Sequence, residues 1–584
     1  MAKLVRSILT VVSMAAGAGL AWHPAASAQT PISNEVPAGA VPKADELTLR
    51  PELSRNVPSS ALPDQAPPAR ELGKPSDDIT LDVDRYVVDA TAPPALQAAL
   101  PALTAAFTGK GRSYEDLVNA VSAVTRYLQR DLGLYLGYAY LPEQSPQDGT
   151  IRIAVLEGRL DQVILKWRDD MPIDKSVVEA HLARLRSGDV LRVRDVERVV
   201  FLLNDLRGLN ARFEVKEGRY PGTATLVVTP TPEKRISGKA EFDSGGSRYS
   251  GLYRLGATAN IASPFRKGDG IVVSGQATTN GGLLFALAGY TMPVGTDGLK
   301  IGTSLSRVHY ELIDEVPFDL NGDATAVSGY AIYPIIRSRN LNLFAQASVE
   351  QRDFIDRKGE LTSAADIDKR VREFRLGIAG DFRDNLLSGG VNAYELAWSR
   401  ANIRYETVGV QQIAIPRDFN KLTLGYSRLQ NVVSNRLLAY VRYKIQVSDA
   451  NLDTTERFSL GGPQGVRGFA PGEASGDEGI LFTGELRFLP PESWFGRISR
   501  EVVFAAFYDF GFIKFQHDVV TPAPTIPNPL GNTTTLSSWG IGATWDRPGA
   551  FGARLSLSWP INGDPQNDTV RRVPRAYATL TKYF

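Results

Sequence analysis

The 584-residue sequence predicts a transmembrane β-barrel of sixteen antiparallel strands, preceded by two smaller α/β domains. Three observations predict this fold class. The chain begins with a secretory signal, and residues 76–231 then mix helical and strand patterns. Residues 235–584 alternate apolar and polar side chains in segments that are separated by Gly, Asn, Asp and Pro.

The first 28 residues have the pattern of a signal peptide. Lys3 and Arg6 precede an apolar stretch, and Ala26-Ser27-Ala28 forms a small-residue cleavage site directly before Gln29. A retained membrane anchor is the alternative, but the prompt cleavage site favours removal. No later run reaches the roughly 18 apolar residues that a spanning helix needs, so a barrel is the remaining way to cross a membrane.

The composition narrows the function classes. Lys and Arg total 65 against 64 for Asp and Glu, so no global charge points to nucleic acid as a partner. The chain has no cysteine, which excludes disulfides, thiolate metal sites and cysteine nucleophiles. Its four histidines are scattered, which disfavours a histidine-rich metal site. We therefore expect no metal, no cofactor and no catalytic residues.

Residues 29–75 are rich in Pro and Ala and predict a flexible linker, in which a short helix around 43–50 is the one element we expect. Residues 76–157 and 158–231 predict two α/β units with the order strand, helix, helix, strand, strand. Ser113-x-x-Asp116 marks a helix start, and a strand is expected at 134–140. The sheet edges of such units could pair with an extended peptide.

The alternation in residues 235–584 predicts one lipid-facing and one water-facing side for each strand. Between Leu437 and Ser448 the odd positions are apolar, whereas the even positions include Arg442 and Lys444. A soluble sandwich also alternates, so the number and length of the segments favour the barrel. The sixteen segments lie near 235–244, 250–262, 268–280, 283–292, 299–311, 324–335, 340–355, 370–384, 389–402, 418–429, 434–449, 479–490, 500–513, 536–547, 551–560 and 574–584.

The longest connection between late strands, residues 450–478, contains the glycine-rich stretch from Gly461 to Phe469. A flexible surface loop is the simplest interpretation, and no Lys-Ser/Thr pair follows that would indicate a phosphate site. Asp509 belongs to the water-facing phase of a later strand and should point into the lumen. A carboxylate there requires a cation, and Arg467 of the loop could supply it as a bidentate pair that holds the loop inside the channel.

These residues resemble a known family, the two-partner secretion transporters, or haemolysin secretion/activation proteins. Gly465-Val466-Arg467-Gly468-Phe469 resembles the family's VRGF/Y loop tip, and Phe507, Asp509 and Gly511 resemble its F-x-D-x-G strand motif. Residues 141–158 resemble the end of the family's first POTRA domain, a periplasmic α/β domain, and residues 202–208 resemble part of the second. The turn at 263–269 resembles a recurrent family turn imperfectly.

The resemblance implies POTRA domains at 76–157 and 158–231, a 16-stranded outer-membrane barrel at 235–584, and an ion pair between Arg467 and Asp509. It also implies a lipid-embedded monomer that recognises an unfolded secreted polypeptide through its POTRA domains and exports it. The family often has an N-terminal helix in the pore, which the Pro-rich residues 29–75 make short or absent here.

Two other function classes stay open at this point. An assembly factor for outer-membrane proteins or lipids belongs to the same superfamily, and the barrel motifs hardly distinguish it from an exporter. A passive pore or a surface enzyme is the third class, although no residue spacing in the chain demands catalysis.

Overall fold

The computed structural model describes residues 80–144, 148–220, 222–313, 320–358, 366–407, 415–433, 436–519, 531–563 and 572–584, with Leu47, Leu49, Glu52, Leu53, Arg55 and Ala61. The predicted signal peptide and most of the predicted linker at 29–75, including all but two residues of the expected helix around 43–50, lie outside these described residues. Within this described part, no helix is both long and apolar enough to cross a membrane.

The first α/β domain packs two helices on small sheets. Its elements are β1 (Thr80–Val83), β2 (Arg85–Val88), α1 (Pro94–Thr104), a 3-10 turn (Ala105–Phe107), β3 (Gly109–Ser113), α2 (Tyr114–Arg130), β4 (Tyr138–Tyr140) and β5 (Thr150–Leu156). The predicted helix start is confirmed, because Ser113 and Asp116 form a reciprocal capping box. Strand β5 lies between β2, which is parallel to it, and β4, which is antiparallel.

The second α/β domain has the order strand, helix, helix, strand, strand, whereas the first domain has in addition the paired strands β1 and β3. Its elements are β6 (Arg159–Leu165), α3 (Lys175–Leu182), α4 (Val193–Asn204), β7 (Leu209–Glu217) and β8 (Thr223–Pro232), with sheet order β6-β8-β7. The expected strand at 134–140 is shorter than predicted. Leu134 and Tyr135 instead join the two domains, since the Tyr135 amide donates to Leu191 O and its ring is buried in the second core.

Sixteen antiparallel strands form a closed barrel, as the sequence predicts. They are β9 (Ile236–Asp243), β10 (Arg254–Ala262), β11 (Gly270–Thr278), β12 (Leu283–Val294), β13 (Leu299–Glu311), β14 (Leu320–Arg337), β15 (Leu341–Lys358), β16 (Ile367–Asp384), β17 (Gly390–Tyr405), β18 (Asp418–Val433), β19 (Leu437–Ser448), β22 (Glu478–Phe488), β23 (Val502–Lys514), β24 (Thr533–Arg547), β25 (Phe551–Asn562) and β26 (Arg575–Tyr583). Between β19 and β22 lies a short hairpin of β20 (Phe458–Leu460) and β21 (Ala474–Gly476). Turns contain Leu386–Ser388, α5 (Glu492–Phe495) and Gly496–Arg500.

The second α/β domain contacts one end of the barrel, which we call the domain end; the opposite end is the far end. Arg266 in the turn after β10 pairs with Asp174 of that domain at 2.7 Å, and Arg337 at the end of β14 pairs with Asp205 at 2.9 Å. Strands β10 and β14 therefore end at the domain end. Because neighbouring strands are antiparallel, β19 ends and β22 begins at the far end, and the long connection between them lies there.

Candidate functional site

Residues 449–477, which we call the lumen loop, fold back into the barrel instead of extending from it. Three apolar side chains of the loop, Leu460, Val466 and Phe469, are buried against Leu481, Ile513 and Leu536 on the inner wall. These wall residues lie on β22, β23 and β24. The structure therefore differs from the simplest expectation of a flexible surface loop, because the loop carries its own apolar contacts to the barrel.

Arg467 and Asp509 lie together in the lumen. Arg467 Nε and Nη2 donate to the two carboxylate oxygens of Asp509 at 2.8 and 2.9 Å, and the Arg467 amide also donates to Asp509 at 3.2 Å. Asp509 is fully buried. Planar, two-point contacts of this type are the strong form of an ion pair, because both donors align with both acceptors.

Two further wall residues complete the surroundings of the guanidinium. Glu485 on β22 accepts a hydrogen bond from Arg467 Nη1 at 2.8 Å. The Arg467 Cζ atom lies 3.3 Å from the centre of the Phe507 ring, a cation–π contact. Thus Phe507, the first residue of the strand motif, and Asp509, its third position, contact the same side chain.

The glycines of both motifs lie where there is no space for a side chain. A Cβ at Gly468 would be 2.6 Å from Ser538 Cβ, and one at Gly465 would be 2.3 Å from a loop carbonyl. At Gly511 of the strand motif, a Cβ would be 2.5 Å from the Leu460 side chain. Each of these contacts is closer than real Cβ atoms come, so glycine is what allows the loop to approach the wall.

Hydrogen bonds between backbone groups of the loop tip and wall side chains connect the tip to two more strands. The Gly468 amide donates to Ser538 Oγ on β24 at 3.1 Å, and Tyr577 on β26 donates its hydroxyl to Phe469 O at 2.8 Å. Sequence reasoning missed Glu485, Ser538 and Tyr577. The alternation could have identified Glu485, because it shares the inward phase of β22 with Thr483.

Part of the lumen is a cavity of about 590 Å³ between the lumen loop, the N-terminal residues Leu49 and Leu53, and the inner wall. That volume falls in the range of about 300–1,000 Å³ that is typical of small-molecule pockets. The lumen loop and these N-terminal residues lie across the route that a polypeptide would take through the barrel, and we call this arrangement the closed pore.

Comparisons with known proteins agree with this architecture. The family model for haemolysin secretion/activation protein ShlB/FhaC/HecB matches residues 222–522, just over half of the 584 residues, and the model for a ShlB-type POTRA domain matches residues 81–158. The heme/hemopexin transporter protein HuxB of Haemophilus influenzae is 24% identical over 468 residues, 79% of this chain and 80% of HuxB. The outer membrane transporter CdiB of Dickeya dadantii is 23% identical over 79% of each chain.

Two solved structures have the same fold. CdiB from Escherichia coli aligns with a TM-score of 0.65 at 20% identity and covers 90% of this chain and 94% of that one. BamA from Haemophilus ducreyi lacking POTRA domains 1–3 aligns with a TM-score of 0.52 at 14% identity and covers 87% and 100%. Because POTRA domains of this family are periplasmic, the domain end of the barrel is periplasmic and the far end is extracellular. By its family match and its architecture, this chain belongs to the haemolysin secretion/activation protein family, the outer-membrane transporters of two-partner secretion.

Proposed function

We propose that this transporter recognises an unfolded secreted partner protein through its two POTRA domains and exports it through the barrel. The observation that carries the proposal is the buried pairing of Arg467 with Asp509, which holds a loop inside a closed lumen directly above two periplasmic domains. HuxB and CdiB are named transporters, which supports the same class of function for this chain.

The POTRA sheets offer unpaired edges to an extended chain. In the second domain β8 is central, so among the described residues β7 and the part of β6 after Leu160 have one edge without a strand partner, whereas the start of β6 pairs with residues 188–190. Ile164 on β6 is exposed, which gives an apolar contact beside that edge. An unfolded peptide could add to such an edge through main-chain hydrogen bonds, and this mode accepts many sequences because the backbone is common to all.

Export in this proposal does not use nucleotide hydrolysis. The sequence contains no Walker-type phosphate-binding motif. The driving force would be the folding of the partner outside the cell, which prevents its return. The ion pair at the loop tip would hold the loop in the lumen, so that the barrel stays closed around it until the partner enters.

The first test measures secretion of the co-encoded partner by Arg467→Ala and Asp509→Ala variants. Arg467→Ala leaves Asp509 buried without its counter-ion, a cost of about 3–5 kcal/mol for the docked loop. Asp509→Ala removes the bidentate partner of Arg467, which keeps only Glu485, so secretion should fall in both variants and most in the first. Combining Arg467→Asp with Asp509→Arg should restore part of it. Glu395→Gln is the matched control, because Glu395 pairs with Arg375 on the lumen wall away from the loop tip. Unchanged secretion by both alanine variants, with folded barrel in the membrane, would contradict the proposed role.

A second test deletes the POTRA region, residues 76–231. Secretion of the partner should stop while the barrel still assembles, and normal secretion would show that the POTRA domains do not recognise the partner. The alternative function, insertion of outer-membrane proteins or lipids, predicts a different defect. Loss of the whole protein would then lower the level of unrelated outer-membrane proteins and leave the partner's secretion intact.

A further inference from the structure

The lumen loop has a second attachment to the barrel, at its base rather than its tip. Glu456 forms an ion pair with Arg352 of β15 at 3.0 Å and another with Lys421 of β18. Three residues earlier, Asp453 pairs with Lys369 of β16 at 2.9 Å and accepts the Tyr405 hydroxyl of β17 at 2.9 Å. These ionised groups are almost entirely removed from solvent.

The two attachments lie on different walls. In the order of strands around the barrel, the base contacts β15, β16, β17 and β18, whereas the tip contacts β22, β23, β24 and β26. The loop therefore crosses the lumen, and the ten residues between Glu456 and Arg467 span it. A pore closed in this way can open by release at either side.

Charge balance differs between the two walls. At the base, Arg352 and Lys421 are accompanied by Glu350 and Glu373 of the wall itself, with Arg352 Nη2 2.6 Å from Glu373. Lys369 likewise faces Asp356 of the wall at 3.7 Å. The wall has two cations and two carboxylates at the first site, and one cation and one carboxylate at the second. Both base sites are thus neutral before the loop adds its own carboxylate.

The wall at the tip is not balanced without the loop. Arg487 pairs with Glu485, but among the ion pairs of the described residues Arg467 is the only cation that Asp509 contacts. Withdrawal of the tip would leave Asp509 on the lumen wall without a counter-ion and would break its three hydrogen bonds from Arg467. Withdrawal of the base leaves neutral wall sites and returns two loop carboxylates to water.

From this difference we propose that the pore opens by release of the base of the lumen loop while the tip stays docked. Asp453 and Glu456 are the positioning residues that hold the closed position. Leu452 contributes an apolar contact, since it is buried in the same cluster as Phe354 and Phe419. The relevance of this movement to export rests on the proposed function, but the movement itself can be measured without a partner.

The test uses single cysteine reporters, because the natural chain has no cysteine. Thr455→Cys reports on the base, where Thr455 is 2% exposed, and Ala470→Cys reports on the tip side, where Ala470 is 8% exposed. Labelling of whole cells by a membrane-impermeant maleimide is compared in the native background and with Glu456→Gln plus Asp453→Asn. Glu395→Gln, which removes a lumen carboxylate that pairs with Arg375, is the matched control.

The double variant should raise labelling at the base reporter about tenfold or more, because it removes charge-assisted contacts from a buried site. Labelling at the tip reporter should stay within about twofold of the native background, since the tip contacts are untouched. An unchanged rate at the base would show that these pairs do not hold the loop. Equal increases at both reporters would show that the loop moves as one body. Either result overturns the proposal, and neither depends on whether a partner is secreted.

Discussion

Among the ion pairs between the second POTRA domain and the barrel, the Asp205–Arg337 pair is the most buried; Asp297 of the barrel also pairs with Arg184 and Arg198 of the domain. Asp205 accepts hydrogen bonds from Arg337 Nε and Nη2, both at 2.9 Å, and the two side chains are 4% and 3% exposed. The Arg337 guanidinium also lies 4.5 Å from the centre of the Phe201 ring in the POTRA domain. We predict that Asp205→Ala loosens the joint between the domain and the barrel while both parts remain folded.

The size of the effect depends on the contacts that Arg337 retains. After the substitution, the guanidinium retains Asn342 Oδ1 at 2.9 Å and Arg55 O at 3.2 Å, but it has lost its bidentate carboxylate. Breaking a buried pair from one side costs about 3–5 kcal/mol, because the remaining charge is uncompensated. The Arg266–Asp174 pair bridges the same two bodies, yet its side chains are 57% and 44% exposed. Asp174→Ala should therefore cost no more than about 1 kcal/mol and serves as the matched control.

Spin-label distance measurements can detect the loosening. Labels on cysteines at Tyr220, in the POTRA domain, and at Leu386, in a barrel turn, sit on exposed positions of a chain without native cysteine. Asp205→Ala should broaden the distance distribution, and Asp174→Ala should not. Asp205→Leu combined with Arg337→Met should narrow it again, since apolar replacement of both partners removes the stranded charge. A distribution in Asp205→Ala as narrow as in the native chain would refute the reasoning.

Two further predictions concern the POTRA domain and the loop tip. Burial lowers the pKa of His181 in the folded state, so folding disfavours its protonation. The free energy of unfolding should therefore be highest above the unfolded pKa of about 6.5 and decrease as the pH falls below it. Melting temperatures at about pH 7.5 and about pH 5 should differ less in His181→Leu than in the native chain, and an equal pH dependence in both would contradict this. Gly468→Ala should prevent docking of the tip, because its Cβ would lie 2.6 Å from Ser538 Cβ, and should increase labelling of the Ala470→Cys reporter. Gly256→Ala should leave labelling unchanged, because a Cβ at Gly256 would be 3.7 Å from the nearest atom.

The barrel was predictable from sequence because lipid and water impose opposite requirements on alternate residues. All sixteen predicted segments overlap a strand, and the segment at 299–311 has the bounds of β13. The largest difference is at β14, which begins at Leu320 and ends at Arg337 instead of spanning 324–335; β14, β15 and β16 each have 18 residues. A strand needs only about 9–11 residues to cross the bilayer, so the alternation fades where these strands extend beyond it.

The contacts that close the pore had weaker sequence signals. The Arg467–Asp509 pair could be anticipated because both residues lie in recognisable motifs and Asp509 breaks an apolar stretch. Glu456 and Asp453 lie in a loop with no periodicity, and their partners are scattered over four strands. Nothing local in the sequence specifies such pairings, since they depend on how far the loop reaches across the lumen.

One signal of the inserted segments was present in the sequence. Near the extracellular end, several inward-facing wall positions are apolar rather than polar, and the buried cluster there includes Val308, Phe354 and Ile403. A water-filled pore would not tolerate such a patch, so another part of the chain has to cover it. Leu47 of the N-terminal segment and Leu452 of the lumen loop do so, and each buried leucine contributes about 1.5–3 kcal/mol. Apolar residues in the inward phase of a barrel therefore indicate where a plug or loop rests.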